Sequence, residues 1–433
     1  MLKTKLELIT EKAREDRKVR FTSLAHHLNE PFLAECYHEL KKRRAAGVDG
    51  ISVEEYGQNL EGKLKTLVGK LKTKRYFPQP VKRVYIPKGD GKQRPLGIPC
   101  VEDRVVQMGI GRILESIFET DFLPVSYGFR PGRSCHDALR KFDEVVMRQA
   151  INHVVEVDIK GYFDHINHTW LEECLKQRIS DPSFLQVIRR VLKSGVMEEG
   201  LVKATEEGSP QGGVCSPILS NIYLHYVLDL WFEKKLKKEM KGIVELIRYA
   251  DDFVICCQYA DEAKRVLERI RERFAKFGLS LAEDKTRICE FGRQAPRNGR
   301  NSRAIDFLGF AHYCTLSRKG HFMVGRRTIG KRFRTKLNAI SVWLRKIRNQ
   351  VPIEAWWKNL CLKLKGHYQY YGIMGNYRGI ERFYREVKKN AFKWWNRRSQ
   401  QKSGSWKQFL LMAERHHLPK PRMVRNFSFM ATT

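Results

Sequence analysis

Two adjacent carboxylates, Asp251 and Asp252, sit between apolar runs in Arg248-Tyr249-Ala250-Asp251-Asp252-Phe253-Val254-Ile255. Leu246-Ile247 precede them and Phe253 to Cys257 follow, so β-branched and aromatic flanks predict two short strands joined by a tight turn. Ordinary two-residue hairpin turns favour Asn-Gly or Asp-Gly, because the backbone needs positive φ. Asp-Asp supplies no glycine and sets like charges side by side, which is costly unless a cation is present. A pair of divalent metal ions meets that need. Such ions neutralise the carboxylates and clamp both oxygens of an in-line phosphoryl displacement. The plain alternative is a solvated acidic turn.

A third carboxylate shifts the balance. Asp158 follows the apolar run Val154-Val155-Glu156-Val157, so a strand from His153 to Ile159 delivers it. An Asp at that point also suits the cap of a following helix. Two-metal sites, however, draw ligands from separate strands that converge on one edge. Asp158 and Asp251 stand 93 positions apart on two such strands. Between them lies a glycine-rich loop, Glu207-Gly208-Ser209-Pro210-Gln211-Gly212-Gly213, opening a helix predicted from Ser216 to Trp231. Such a loop lets backbone approach a substrate closely, although a simple turn has the same composition.

The elements that must position these groups follow from periodicity. Residues 1–70 read as helical, broken at Gly47-Val48-Asp49-Gly50. Val81 to Ile86, Pro87-Lys88-Gly89-Asp90-Gly91 and Lys92 to Pro99 predict a β-hairpin with Lys and Arg near its glycine-rich tip. Helices are expected over 101–122 and beyond the Gly/Arg-rich turn at 126–140. Another spans 261–277, where Ala263, Val266, Leu267, Ile270 and Phe274 share one face and Gly278 stops it. Residues 292–303 read as an exposed loop, and Asp306 to Phe310 as a strand or turn. From 327 onward three packed helices are expected. Pro419-Lys420-Pro421 argues against a long helix in the tail.

Charge names the partner class. The chain carries 82 Lys and Arg against 48 Asp and Glu, a formal net charge of +34, which calls for a polyanion. Residues 315–433 hold 28 of the bases and 4 of the acids, with six of the eight tryptophans. Bases release phosphate counterions and rings stack on bases of nucleic acid, though most of these tryptophans are expected to be core. The ten cysteines show no C-x-x-C pair, and Cys256-Cys257 read as buried small hydrophobes. Met1 to Arg20 has no apolar signal-peptide segment, and no run of about 18 apolar residues exists to span a membrane. These features fit a reducing, cytoplasmic compartment with no membrane contact.

The order of the blocks resembles a bacterial group II intron-encoded reverse transcriptase, or maturase, over nearly the whole chain. The blocks are Val84-Tyr85-Ile86-Pro87-Lys88, Arg94-Pro95-Leu96-Gly97-Ile98-Pro99, Ser126 to Gly132, Asp158-Ile159-Lys160-Gly161-Tyr162-Phe163-Asp164, Ser209-Pro210-Gln211-Gly212, Tyr249 to Asp252, Asp284-Lys285-Thr286, Phe307-Leu308-Gly309-Phe310 and Lys365 to Tyr371. The resemblance implies an α+β, right-hand polymerase fold. Its parts would be an N-terminal helical RNA-binding extension (1–70), fingers (71–150), a palm with an antiparallel sheet (151–318), a helical thumb or maturase X region (319–395) and a basic tail (396–433).

Roles follow from the same resemblance. Asp158, Asp251 and Asp252 match the catalytic triad, which with the Ile159 carbonyl would hold two Mg²⁺ ions. Lys88 and Arg94 match residues on the incoming triphosphate. Gly161, Tyr162 and Gln211 match the nucleotide pocket, and Phe163 the steric gate that favours dNTPs by clashing with a ribose 2′-OH. Leu308, Gly309 and Lys285 match the primer and template region. Arg326, Arg327, Lys331 and Arg334 are the expected RNA-binding cluster. The implied activity is RNA-directed DNA synthesis from a DNA primer or target, with binding of intron RNA, or another structured RNA template, for splicing and mobility in a ribonucleoprotein. About 38 residues follow the thumb without paired cysteines or an H-N-H motif, so the form lacking that endonuclease is expected. Two alternatives stay open: a related reverse transcriptase outside an intron, serving phage defence or DNA repair, and a splicing-only RNA-binding maturase.

Overall fold

Strands form where β-branched residues cluster, and three small sheets result. The structure, a computed structural model, describes residues 4–87, 93–198, 201–203, 208, 212–295, 304–317, 319–398 and 404–425. In chain order, helices α1 (Lys5–Glu15), α2 (Glu30–Glu39), α3 (Val53–Gly57) and α4 (Leu60–Lys72) precede strands β1 (Val81–Pro87) and β2 (Gln93–Ile98). Helices α5 (Val101–Phe118) and α6 (Cys135–Arg148) lead to β3 (His153–Val157). Then come α7 (His168–Lys176), α8 (Pro182–Leu192), β4 (Val196–Glu198), β5 (Leu201–Lys203), α9 (Ser216–Leu224) and α10 (Leu230–Lys234). The hairpin β6 (Val244–Tyr249) and β7 (Asp252–Cys257), helix α11 (Ala260–Lys276) and β8 (Arg287–Glu290) follow. The remainder is β9 (Ile305–Phe307), β10 (Phe310–Leu316), β11 (Phe322–Thr328), α12 (Gly330–Ile347), α13 (Ile353–Tyr371), α14 (Tyr377–Trp395) and α15 (Trp406–Arg415).

Two compact units emerge, a coarser division than fingers, palm and thumb. One comprises residues 1–138 and 155–288, the other 139–154 and 289–433. The first contains the sheet of order β2-β1-β4-β5 and most of a sheet of order β6-β7-β3-β8, in which β3 and β8 each straddle the division. In β7, Phe253 to Cys257 are buried without interruption, as expected of a strand covered on both faces. Helix α11 buries Ala263, Val266, Leu267, Ile270 and Phe274. The larger of these contribute at most about 1.5–3 kcal/mol each. Acidic residues open that helix and Arg273 and Lys276 close it, matching its dipole.

The second unit departs from the sequence expectation at its start. Helices are expected from 327, yet β11 runs to Thr328 and pairs antiparallel with β10 from Phe310↔Thr328 to Leu316↔Phe322. Alternation along β11 turns Arg326 inward. It is 2 % exposed, and its guanidinium meets the buried Asp143 carboxylate. Arg326 is therefore no surface cation, and the expected RNA-binding cluster reduces to the exposed Arg327, Lys331 and Arg334. The three expected helices are α12, α13 and α14. Trp356, Trp357, Trp394 and Trp395 are buried among them. The tail adds the ten-residue α15, opened by a Ser405–Gln408 capping box and ending before Pro419. It is tied to α13 by Trp357 Nε1–H donating to the His416 carbonyl at 3.2 Å.

A buried imidazole in this unit gives a pH dependence. His367 on α13 stacks on Phe383 of α14, ring centroids 3.6 Å apart, and neither ring nitrogen has a partner. Burial pushes its pKa down to about 3, and the Lys336 charge on α12 adds to that. The unfolded chain would take up a proton near the ordinary value of 6.5. The contribution is thus intact above that value and is lost as pH falls toward 3. Asp143, pushed up to about 6 by burial, acts in the opposite sense at acid pH. His367→Phe isolates the histidine: its loss of stability from pH 7.5 to 5 should be smaller than wild type's by about 2 kcal/mol. Thermal midpoints at the two pH values check this, and parallel losses would remove His367 as a cause.

Candidate active site

The Asp251 turn is a two-residue connection, because Tyr249 pairs with Asp252. Its central residues are Ala250 and Asp251, so the two acids do not share the turn as the sequence suggested: Asp252 already belongs to β7. The positive φ that the hairpin needs falls on Ala250, at 57°, a strained choice for a residue with a Cβ. Gly128 explains how the turn is confined. A Cβ at Gly128 would lie 2.3 Å from the Ala250 nitrogen, so only glycine allows this approach. The Ser126 to Gly132 block thus braces the turn from behind.

Asp158 stands one residue past β3. Its amide is 3.5 Å from the Thr286 hydroxyl and its carbonyl accepts from the Ala282 amide at 2.8 Å. Ile159 bridges to Leu281, and the Lys160 amide donates to the Ser280 carbonyl at 2.9 Å. The backbone after β3 is therefore pinned to the segment before β8. The Lys285 ammonium donates to Asp158 Oδ2 at 2.7 Å. That hydrogen bond holds the Lys285 pKa above its ordinary value, with the charges of Asp284 and Asp252 adding to the effect.

Asp251 lies in the same field. Burial raises its pKa above the usual carboxylate value; its own amide opposes this, the Asp158 charge raises it further, and Arg94 and Arg248 lower it. The carboxylates thus sense one another, and the local cations are Lys285 and Arg94. Among the described residues no three His, Cys, Asp or Glu side chains stand gathered as a metal-ligand set. The donor chemistry nonetheless fits a hard divalent ion: oxygen ligands, mutual repulsion, and an ammonium already drawn onto Asp158.

Around this edge, Gly161 has φ 53° and leads into the turn Tyr162–Asp164. Tyr162 is buried, and its hydroxyl donates to the Ser220 carbonyl at 2.9 Å. Phe163 is half-buried, edge-on to Tyr162 at 5.2 Å. Gly208 packs against the Phe163 and Asp164 carbonyls, and a Cβ at Gly212 would be 2.6 Å from the Gly97 carbonyl oxygen. Gly208 therefore lies against the turn after Asp158, and Gly212 against β2. Arg94 is exposed on β2, paired with Ile86. Lys88 and Gln211 lie outside the described residues, as does most of the 292–303 loop.

Leu308 and Gly309 belong to the second unit, where they form the β9–β10 turn. Both have positive φ, 47° and 85°, and the Tyr370 hydroxyl donates to the Leu308 carbonyl at 2.8 Å. Sequence reasoning gave no role to Arg248, Ser126, Asn221 or Asp229. One signal was available: Arg248 interrupts an apolar strand after Leu246-Ile247, and a charge placed there needs buried partners.

Acids at the edge of a small antiparallel sheet, with an arginine-bearing hairpin and a glycine-rich loop beside them, define a template-directed polymerase of the right-hand type. A family description, "Reverse transcriptase (RNA-dependent DNA polymerase)", matches residues 86–312. Protein YkfC of Escherichia coli is 35% identical over 313 residues, 64% of this chain and 81% of that protein. The group II intron-encoded protein LtrA of Lactococcus lactis is 33% identical over 323 residues, 73% of this chain and 52% of that protein. Nuclear intron maturase 2 of Arabidopsis thaliana is 28% identical over 178 residues, 31% of this chain and 24% of that protein. The chain spans about half the length of the Lactococcus protein. It belongs to the reverse transcriptase family and is an RNA-directed DNA polymerase, an activity that works on nucleic acid with divalent metal ions. Among the described residues, no helix is long and apolar enough to cross a membrane.

Proposed function

We propose that this chain copies RNA into cDNA at Asp158 and Asp251 with two Mg²⁺ ions, and binds its own intron RNA to assist splicing and mobility. The observation that carries the site assignment is the Lys285 ammonium on Asp158, beside an Asp251 whose pKa the Asp158 charge raises. Two acids that repel each other while one attracts a cation suit divalent ions. Asp158 and Asp251, with Asp252 and the Ile159 carbonyl, would hold them. Bound there, the ions supply charge stabilisation for the attacking and leaving oxygens.

The protein's own groups do the rest. Arg94 would offer a forked donor to triphosphate oxygens, and Lys88 would serve them as a point charge. Gly161, Tyr162 and Phe163 would line the nucleotide pocket, a role that the resemblance extends to Gln211. Lys285, paired with Asp158 in this structure, would serve the primer or template backbone. Leu308 and Gly309 serve the primer end. The protein would act in a bacterial cytoplasmic ribonucleoprotein.

Intron binding is the finer part of the proposal, supported by the charge of residues 315–433 and the names of the relatives. Neutralising Arg327, Lys331 and Arg334 should weaken binding of group II intron RNA. It should also flatten the salt slope by roughly one counterion for each phosphate no longer neutralised. Asp251→Ala should leave both binding and splicing support near wild type. Filter binding across a salt series, with a splicing assay on the same proteins, checks this. An unchanged slope in the neutralised protein would move the RNA surface to other basic faces.

A further inference from the structure

Arg248 is wholly buried, and all five of its N–H donors are used. Nε donates to Asp229 Oδ1 at 2.7 Å, and Nη2 to Asp229 Oδ2 and to the Ser126 hydroxyl at 2.7 Å. Nη1 donates to Asn221 Oδ1 at 3.2 Å and to the Ala250 carbonyl at 2.9 Å. A guanidinium has five donors in a fixed fork, so this is a complete set. Asp229 is itself 0 % exposed. It ends a wide π-type turn, His225–Asp229, set between α9 and α10, the kind of insertion that marks functional positions in helices.

The last of those bonds matters for chemistry. The Ala250 carbonyl and the Asp251 amide belong to one rigid peptide plane. That plane follows a residue held at φ 57°, a conformation that relaxes unless its surroundings hold it. Asn221 closes the frame: its Nδ2–H donates to the Gly128 carbonyl at 2.7 Å, while its Oδ1 receives Arg248. Gly128 is the residue pressed against the Ala250 backbone. Arg248 is also tied through its main chain, donating to the Val125 carbonyl and accepting from the Tyr127 amide, both at 2.9 Å.

We infer that Arg248, charge-balanced by Asp229 and framed by Asn221 and Ser126, is a positioning residue that fixes the Ala250–Asp251 peptide and thereby aims the Asp251 carboxylate at the metal ions. The inference rests on the reading of Asp251 as a metal ligand. Lysine has three donors on a single nitrogen and cannot serve Asp229, Asn221, Ser126 and the Ala250 carbonyl together. Arg248→Lys therefore keeps the charge and loses the aim.

The test uses the full chain as wild type, Arg248→Lys and Asn221→Ala. Its readouts are Mn²⁺ affinity without nucleic acid, by electron paramagnetic resonance, and the Mg²⁺ dependence of single-turnover primer extension. Template–primer affinity and the fraction of active sites are measured alongside. Arg248→Lys should weaken Mn²⁺ binding and raise the Mg²⁺ midpoint by about ten-fold or more, with Asn221→Ala moving both in the same direction and template–primer affinity unchanged. Wild-type Mn²⁺ affinity and Mg²⁺ midpoint in folded variants would overturn the inference. So would a loss confined to the fraction of active molecules, which is what a merely structural role produces. If Arg248→Lys does not fold, Asn221→Ala decides on the same two readouts. Should wild type bind Mn²⁺ in an Arg248-dependent way yet extend no primer, the positioning role stands and the proposed polymerase site falls.

Discussion

Asp251→Ala lowers cDNA synthesis by about a thousand-fold or more, and Asp158→Ala does the same, because each removes an oxygen ligand from ions that must neutralise charge on both reacting oxygens. The size follows from position. Asp251 sits at the tip of a braced hairpin, and Asp158 follows β3 on backbone pinned to the segment before β8. Neither is a core residue, so alanine costs little packing, and both variants should fold and bind template–primer like wild type. Asp158→Ala also releases Lys285 from its 2.7 Å ion pair, an exposed contact of small energetic value. Single-turnover extension on an RNA template, normalised to bound template–primer, is the measurement. Wild-type rates in either variant would remove that aspartate from the reaction.

Phe163→Val should lower the preference for dNTPs over rNTPs by roughly ten- to a hundred-fold, the span that removing steric bulk from a pocket commands. The ring lies five residues past Asp158, in the turn that Gly208 packs against, and it is only half-buried. Its buried share rests on Tyr162, so valine keeps the turn's apolar contact while opening space beside the sugar. Competition between each dNTP and its rNTP in primer extension gives the ratio directly. A folded Phe163→Val that discriminates like wild type would assign the ring to packing alone.

The hairpin around Asp251, the strand before Asp158, the β1–β2 pair and the three C-terminal helices were all legible, because each is local: a period of two or of 3.6 broken by glycine or proline. What was not legible depends on contacts distant in sequence. Arg326 and Arg327 are adjacent and chemically alike, yet one faces Asp143, 183 positions away, and the other faces outward. Short strands such as β4 and β5, three residues each, carry too few residues for alternation to stand out. Lys285 had a primer or template role by resemblance, but its pairing with Asp158 shows only once the segment before β8 is seen to run beside that residue. The network around Arg248 joins residues 126, 221, 229 and 248, and only the fold brings them together. Helix α15 is short and ends before Pro419, in line with the prolines that argue against a long one, and its capping-box spacing at Ser405 and Gln408 was the signal that went unread.

Primer extension by the purified wild-type chain, with a DNA primer on an RNA template, dNTPs and Mg²⁺, is the most direct test. Complementary DNA reaching the template end, abolished by chelation and restored by added Mg²⁺, is the expected result. A folded protein that binds the template–primer tightly and adds no nucleotide at any Mg²⁺ or Mn²⁺ concentration would contradict it.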